Sequence, residues 1–425
     1  MSSLPTVVLK PRRALPFFGR HPWVFAGAVA KVRGNPQPGD EVVVRSADDE
    51  FIARGLFNPH SNIRARLFTW NEDEPLDEAF WAERIAAAID GRRRLFGSGN
   101  GDRSIFRPGA GDDSGASARK MDQSPFSHDT ACRLINSEGD GLSGLTVDRY
   151  GDWLLVQFTS LALFERRDAI LAATQEQLQP RGIWLRTEKG IRQAEGLEAR
   201  DGLVVGDEPP RPLFVDEHGV RYGVDVVEGQ KTGFFLDQRE NRRVVAGYLH
   251  GRVLDVFSYS GGFSLCAAML GGAKETLGID SSETAIALAS ANAELNGVAD
   301  RCRFERADAF EKLEQLAAGG GRFDAVILDP PKLCRHRKAV PQALKGYFSL
   351  NRLAVDVLNP GGLLVSCSCS GLVSRDEFEE MLATVAVRSG REMQILEIRG
   401  QAPDHPVAVT CREGAYLKCY VCRVL

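Results

Sequence analysis

VLDVFSYSGGFS, residues 253–264, is an apolar run that ends in an acid and breaks at a pair of glycines before a helix-forming stretch. Four more runs share its design: TLGID (276–280), RFERAD (303–308), FDAVILDPPK (323–332) and GLLVSCSCSG (362–371). Between them lie segments long enough for helices. Strands that alternate with such helices need crossover connections, which implies a parallel sheet. The expected fold class is therefore α/β, with a doubly wound, mostly parallel sheet. In such sheets the carboxyl ends of the strands at the switch point face the ligand crevice. Asp255, Asp280, Asp308, Asp329 and Cys369 all fall at those ends, so a site is expected there. The last stretch, EGAYLKCYVCRVL (413–425), reads as a terminal strand, antiparallel at or near the sheet edge.

Moving toward the N-terminus, the pattern changes. Short alternating runs, VVLK, GDEVVVRS, FIARGLF and IRARLFTW, are separated by Gly, Pro, Asn and Asp, as in a small β-barrel over residues 1–74. Residues 75–222 read as an α+β middle domain. Phe80, Ile85, Ala88 and Ile89 recur at helical spacing, and two hairpins are expected at Gly151-Asp152 and His218-Gly219 around a helical run from Phe164 to Leu178. Residues 97–128, rich in Gly, Ser and Asp, are expected to form a mobile insertion, because they bury too little to offset their ordering entropy. The remaining portion, 223–425, holds the parallel sheet.

At 425 residues the chain is too long for one core. Neither a secretory leader nor an apolar run of about 18 residues is present, so a cytoplasmic protein with no membrane partner is expected. Nine irregularly spaced cysteines are expected to be mostly reduced, and no metal site is expected. Nothing in the composition speaks against a homodimer. Net charge is −4, yet residues 1–70 hold ten basic residues against five acids. Such an asymmetry suits a phosphate-contacting appendage, or a solvated basic face. Arg20 and Trp23, in the loop GRHPWVF (19–25), are candidates for base contact, although plugging the barrel is the favoured reading of Trp23.

In the sheet, Gly261 and Gly262 after Asp255 and Phe257 allow a tight turn and close backbone approach to a ligand. The loop lacks the third glycine of a dinucleotide fingerprint, which disfavours a nicotinamide oxidoreductase. Asp280, ending the next run, can accept from a ribose hydroxyl pair. Asp308 can reach an adenine amine or cap the helix that begins at Ala309. Pro330 and Pro331 fix the turn after Asp329. Lys332 follows where amino-group methyltransferases place an aromatic, which argues against exocyclic-amine chemistry. Cys369 supplies what carbon methylation of a pyrimidine requires, because C5 cannot attack a methylsulfonium until a thiolate adds at C6. Cys367, two residues earlier, competes for that role.

The set KTGFFLDQRENR (231–242), DVFSYSGGFS, LGID, DPPK, SCSCSG, DHPV (404–407), EGAYLK (413–418) and RHPWVFAGAV (20–29) resembles the bacterial large-subunit ribosomal RNA cytosine-5 methyltransferases that carry an N-terminal PUA domain. The resemblance implies a PUA RNA-binding barrel, an α+β middle domain and a class I methyltransferase domain using S-adenosylmethionine, with ribosomal RNA as partner. Residue by residue, it implies Asp255, Gly261 and Gly262 at the methionine end of the cofactor, Asp280 at the ribose and Asp308 near the adenine. Gln238 or Arg239 would clamp the methionine carboxylate, and Asp329 and Cys369 would meet the target base, flanked by Pro330, Pro331 and Lys332. Uracil C5 or guanine methylation remains the alternative chemistry. Lys332 also stands where many RNA cytosine-5 methyltransferases carry a second cysteine.

Overall fold

The computed structural model describes residues 4–96, 130–187, 190–229 and 233–425. The expected insertion at 97–128, with Lys231 and Thr232, lies outside them. The chain divides into two compact units. The first takes Met1–Val215, Val224–Leu236 and Pro403–Gly414; the second takes Asp216–Gly223, Asp237–Ala402 and Ala415–Leu425.

The first unit opens with β1 (Thr6–Leu9), β2 (Trp23–Phe25), β3 (Val29–Arg33), β4 (Glu41–Arg45), β5 (Phe51–Phe57) and β6 (Ile63–Thr69). They form one six-stranded sheet in the order β2-β6-β5-β4-β1-β3. Alternation decides its faces: in β4, Val42 and Val44 are buried while Glu41, Val43 and Arg45 lie further out. The helix Glu78–Phe96 follows, and its Phe80, Trp81, Ile85 and Ile89 are buried, as their spacing predicts. They pack into a core shared by Leu56 and Phe68 of the first sheet and by the second. That second sheet contains β7 (Ala131–Asn136), β8 (Leu145–Tyr150), β9 (Trp153–Phe158), β10 (Gly182–Leu185) and β11 (Gly202–Gly206), in the order β11-β10-β9-β8-β7. Its β8–β9 hairpin turns at Gly151-Asp152, and the helical run resolves into Leu161–Phe164 and Arg167–Leu178. The first sheet also keeps a core of its own, around Val7, Leu9, Val24, Val42 and Val44, so only its Leu56 and Phe68 join the core of the second. Buried ion pairs add to it: Arg66 reaches both Glu138 and Glu195 at 3.5 Å. Residues 403–414, expected within the C-terminal portion, also pack in this unit, where Arg92 donates to the Asp404 carbonyl at 2.8 Å.

β12 (Leu213–Glu217) and β13 (Val220–Val224) pair as the second hairpin. The second unit is then built on β14 (His250–Val256), β15 (Gly272–Asp280), β16 (Cys302–Arg306), β17 (Phe323–Leu328), β18 (Leu358–Ser368), β19 (Met393–Arg399) and β20 (Lys418–Val424). The order is β16-β15-β14-β17-β18-β20-β19. Strands β14 to β18 are parallel; β20 runs antiparallel between β18 and β19, one strand in from the edge. The sheet order reverses between β14 and β17, which places a crevice at their carboxyl ends. Both faces are covered, so the strands read as nearly continuous apolar runs: Val253, Leu254 and Val256 are each 0% exposed.

Candidate active site

Asp255 sits one residue before the end of β14 and is fully buried. Its Oδ2 accepts from the backbone N–H of Ser264 at 3.0 Å and from its hydroxyl at 2.8 Å, while Oδ1 is a buried oxygen with no hydrogen-bond partner among the described residues. Burial pushes its carboxyl up to about 7; the Ser264 bonds pull the other way, and the neighbouring Asp329 and Asp280 charges reinforce the rise. Three acids are therefore gathered in one electrostatic neighbourhood, the central one with an empty acceptor.

The loop after β14 is strained. Phe257 and Tyr259 both have positive φ, 69° and 47°, and the N–H groups of Phe257 and Ser258 share the Ile279 carbonyl. Gly261, at φ 82°, precedes the helix Gly262–Met269, and a Cβ on it would lie 2.8 Å from the Phe304 ring. Gly278 of β15 meets the same ring still more closely. Asp280 ends β15 and braces this loop: its Oδ2 accepts from Tyr259 N at 3.0 Å and its Oδ1 from Ser282 N at 2.9 Å.

Asp308 lies beyond β16 and is exposed; it caps the helix Ala309–Ala318, accepting from Phe310 N at 2.9 Å and Glu311 N at 3.2 Å. Of the two readings open for it, the cap is the one its own contacts occupy. Gln238 and Arg239 are buried at the start of the helix Arg239–Ala246; Gln238 Oε1 accepts from Asn241 at 2.6 Å, and Arg239 contacts Glu240 at 3.3 Å.

Asp329 follows β17 directly, and its N–H reaches the Val256 carbonyl of β14 at 3.4 Å. Pro330 is buried, whereas Pro331 and Lys332 are exposed. Cys369 follows the last residue of β18, and its thiol lies 4.0 Å from the Pro330 carbonyl. Of the nine cysteines it alone is not buried. Alternation along a strand would put Cys367 and Cys369 on one face, but β18 ends at Ser368, so only Cys367 remains in register, opposite Cys419. Contact with the Cys419 thiol and full burial hold the Cys367 thiol well above its ordinary range. A thiol held there resists ionisation, which counts against it as the rival nucleophile.

Sequence reasoning did not find what surrounds Cys369. Tyr347, on the helix Val340–Asp356, takes a hydrogen bond from Ser368 Oγ at 2.9 Å and meets Ser370 Oγ at 2.9 Å, which pins both neighbours of the cysteine. Lys418, the first residue of β20, donates to the Ser370 carbonyl at 3.0 Å. Its motif, EGAYLK, was visible in the sequence, but nothing local connects it to residue 369. In the first unit Arg20 is exposed with a left-handed backbone, and Trp23 is half-buried, its indole donating to Glu138 at 2.9 Å and Ser143 at 3.2 Å. Trp23 also lines a cavity of about 410 Å³ with Phe25, Ile63 and Arg66.

A doubly wound sheet whose switch-point crevice carries strand-end acids and a strained glycine loop defines a class I methyltransferase. Consistently, the profile of the S-adenosylmethionine-dependent methyltransferase family matches residues 142–417, and that of the PUA-like domain matches residues 7–70. The chain belongs to the family of the proteins named ribosomal RNA large subunit methyltransferase I. It is similar to that of Erwinia tasmaniensis, 38% identical over 99% of each chain, and to that of Klebsiella pneumoniae strain 342, 37% identical over 100% of this chain and 99% of the relative. Among solved structures, an S-adenosylmethionine-dependent methyltransferase from Streptococcus mutans shares the fold, with a TM-score of 0.80 at 22% identity over 99% of this chain and 100% of that one. SMU.776, a methyltransferase complexed with SAH, gives the same values. Among the described residues no helix is long and apolar enough to cross a membrane.

Proposed function

We propose that the chain transfers a methyl group from S-adenosylmethionine to C5 of a cytidine in large-subunit ribosomal RNA, through a covalent bond between Cys369 Sγ and C6 of the base. The observation that carries this reading is the placement of Cys369: the one cysteine not buried, at a strand end beside the Asp329-Pro330 turn. The ribosomal RNA relatives, 38% and 37% identical over nearly their whole length, support the substrate class.

The cofactor suits the acids present. A cationic amine or sulfonium would give the buried Oδ1 of Asp255 the partner it lacks and relieve the repulsion among Asp255, Asp280 and Asp329. On this reading Asp255, Phe257, Gly261 and Gly262 take the methionine end, with Gln238 or Arg239 at its carboxylate. Asp280 takes the ribose and Asp308 the adenine edge. When bound, the cofactor supplies an electrophilic methyl on sulfur.

The chain's own residues do the rest. Cys369 thiolate adds to C6, which makes C5 enamine-like, and Asp329 hydrogen-bonds or protonates N3 as the negative charge develops. C5, so activated, would take the methyl that a bound cofactor supplies, the sulfur–methyl bond breaking with its electrons left on the cofactor's sulfur. Loss of the C5 proton to a base expels Cys369 again as thiolate, restoring the aromatic ring. Pro330, Pro331 and Lys332 border the base; Arg20 and Trp23 of the basic PUA-like domain contact the RNA.

The test is incubation of unmodified ribosomal RNA with methyl-labelled cofactor, followed by nucleoside mass spectrometry. Labelled 5-methylcytidine is expected with the wild type and none with Cys369→Ala, whose cofactor binding should be unchanged. Labelled 5-methyluridine or a methylguanosine would replace this reading, as would retained activity in Cys369→Ala.

A further inference from the structure

A fully buried lysine normally has a carboxylate partner. Lys418 is 3% exposed, yet among the described residues it holds no ion pair with a carboxylate; its ammonium donates only to two main-chain carbonyls, Ser370 at 3.0 Å and Tyr416 at 3.1 Å. Two bonds leave one of the three N–H positions over. In register Lys418 stands opposite Ser368, the last residue of β18, so its side chain reaches along the strand end past residue 369 to the next carbonyl. It is anchored on both sides of the cysteine that the proposed reaction requires as a thiolate.

We propose that Lys418 is the positioning residue that keeps Cys369 ionised: its ammonium is the fixed counter-charge of the thiolate, both when the sulfur adds to the base and when it leaves. The role rests on Cys369 being the nucleophile. On ionisation the Cys369 S–H bond breaks, the proton passes to solvent, the electron pair stays on sulfur and Lys418 keeps its three protons. At elimination the C6–S bond breaks with its electrons returning to sulfur, beside the same cation. No other reactant is needed.

The electrostatics agree with the geometry. Burial lowers the Lys418 ammonium to about 8, the Cys369 charge is the largest influence raising it, Arg375 lowers it and Glu377 raises it. Coupling between two titrating groups is reciprocal, so a thiolate that favours the ammonium is favoured by it. A cation is a recognised means of depressing a thiol. The register also explains why a lysine is tolerated there. The two carbonyls solvate the ammonium in place of water, and they hold its long chain in one orientation.

The experiment reads Cys369 itself rather than methyl transfer. Native protein is pulsed with iodoacetamide across pH 6–10, and alkylation of the Cys369 peptide is quantified by mass spectrometry, for wild type, Lys418→Gln and Lys418→Arg. Glutamine keeps a donor for the carbonyls but no charge. Its alkylation midpoint should rise by about one pH unit, roughly tenfold less thiolate at pH 7. Arginine should restore the midpoint to within about threefold of wild-type reactivity at pH 7. Melting and S-adenosylhomocysteine binding report folding of each variant. A folded Lys418→Gln protein whose profile overlays the wild type would overturn the proposal. So would a folded Lys418→Arg protein whose midpoint lies about one pH unit above the wild type, a comparison that needs only wild type and arginine should the glutamine variant unfold. If instead the midpoints move as expected while Cys369→Ala still methylates RNA, the charge pairing stands and the nucleophile reading falls.

Discussion

Replacing Asp255 with asparagine should make the ligand-free protein more stable and the enzyme inert. The side chains are isosteric, and the asparagine oxygen can accept both Ser264 bonds that Oδ2 now receives. What disappears is a buried charge. The carboxyl of Asp255 is raised from 3.8 to about 7, first by burial and then by the Asp329 and Asp280 charges, against the Ser264 hydrogen bonds. Between those two values the folded protein holds a proton that the unfolded chain has released. Stability attached to this group is therefore complete at low pH and is lost as pH rises from about 4 through about 7. From pH 5 to pH 8 the loss is about 3 kcal/mol, as an order of magnitude, and the asparagine variant escapes it. Thermal melts of both proteins at the two pH values would show the variant gaining about 5–10 °C over wild type on going to pH 8. S-adenosylhomocysteine should raise the melting temperature of the wild type only, because the variant has no anion for the ligand's amine. An advantage for Asp255→Asn that does not grow with pH, or a ligand-induced shift of wild-type size in the variant, would refute the reasoning.

Two further substitutions probe the frame of the site. Gly278→Ala puts a methyl inside the Phe304 ring, and such overpacking should cost about 1–3 kcal/mol and weaken cofactor binding, measured by denaturant melts and calorimetry. Tyr347→Phe removes the oxygen that bonds Ser368 and Ser370; it should cost about 1–3 kcal/mol and lower kcat with cofactor affinity unchanged, which single-turnover methylation would detect.

The α/β architecture could be read from sequence because most strands of the parallel sheet are local, largely apolar runs with a polar residue at or just past the end; β16, CRFER, is the exception, with Arg303, Glu305 and Arg306 exposed. Asp255 and Asp280 illustrate this: a one-dimensional pattern places them at adjacent strand ends with no knowledge of tertiary contacts. Asp308 shows the limit, because a carboxylate at a helix start serves the helix as well as any ligand, and its bonds to Phe310 and Glu311 are local in sequence too. Cys367 and Cys369 show another. Their spacing promises a shared face, and only the point where β18 ends separates a core thiol from an accessible one. Lys418 was out of reach, since its partner carbonyl at Ser370 is 48 positions away and is chosen by strand register alone. The contact between the first two sheets was hidden for the same reason: Arg66, Glu138 and Glu195 look like unrelated surface charges until the chain folds.

The insertion of β20 between β18 and β19 has a consequence for biosynthesis. Strands β18 and β19 do not touch each other in the sheet; the segment that bridges them is made after both. A growing chain that has emerged only through residue 417 can order five parallel strands, but β18 is then a bare edge and β19 has nothing to pair with. Cys369 at that stage lacks the Lys418 ammonium. On the role proposed for Lys418, the counter-charge of Cys369 thus arrives only with a strand made after β19, and a nascent chain stalled before residue 418 carries Asp255, Asp280 and Asp329 without it.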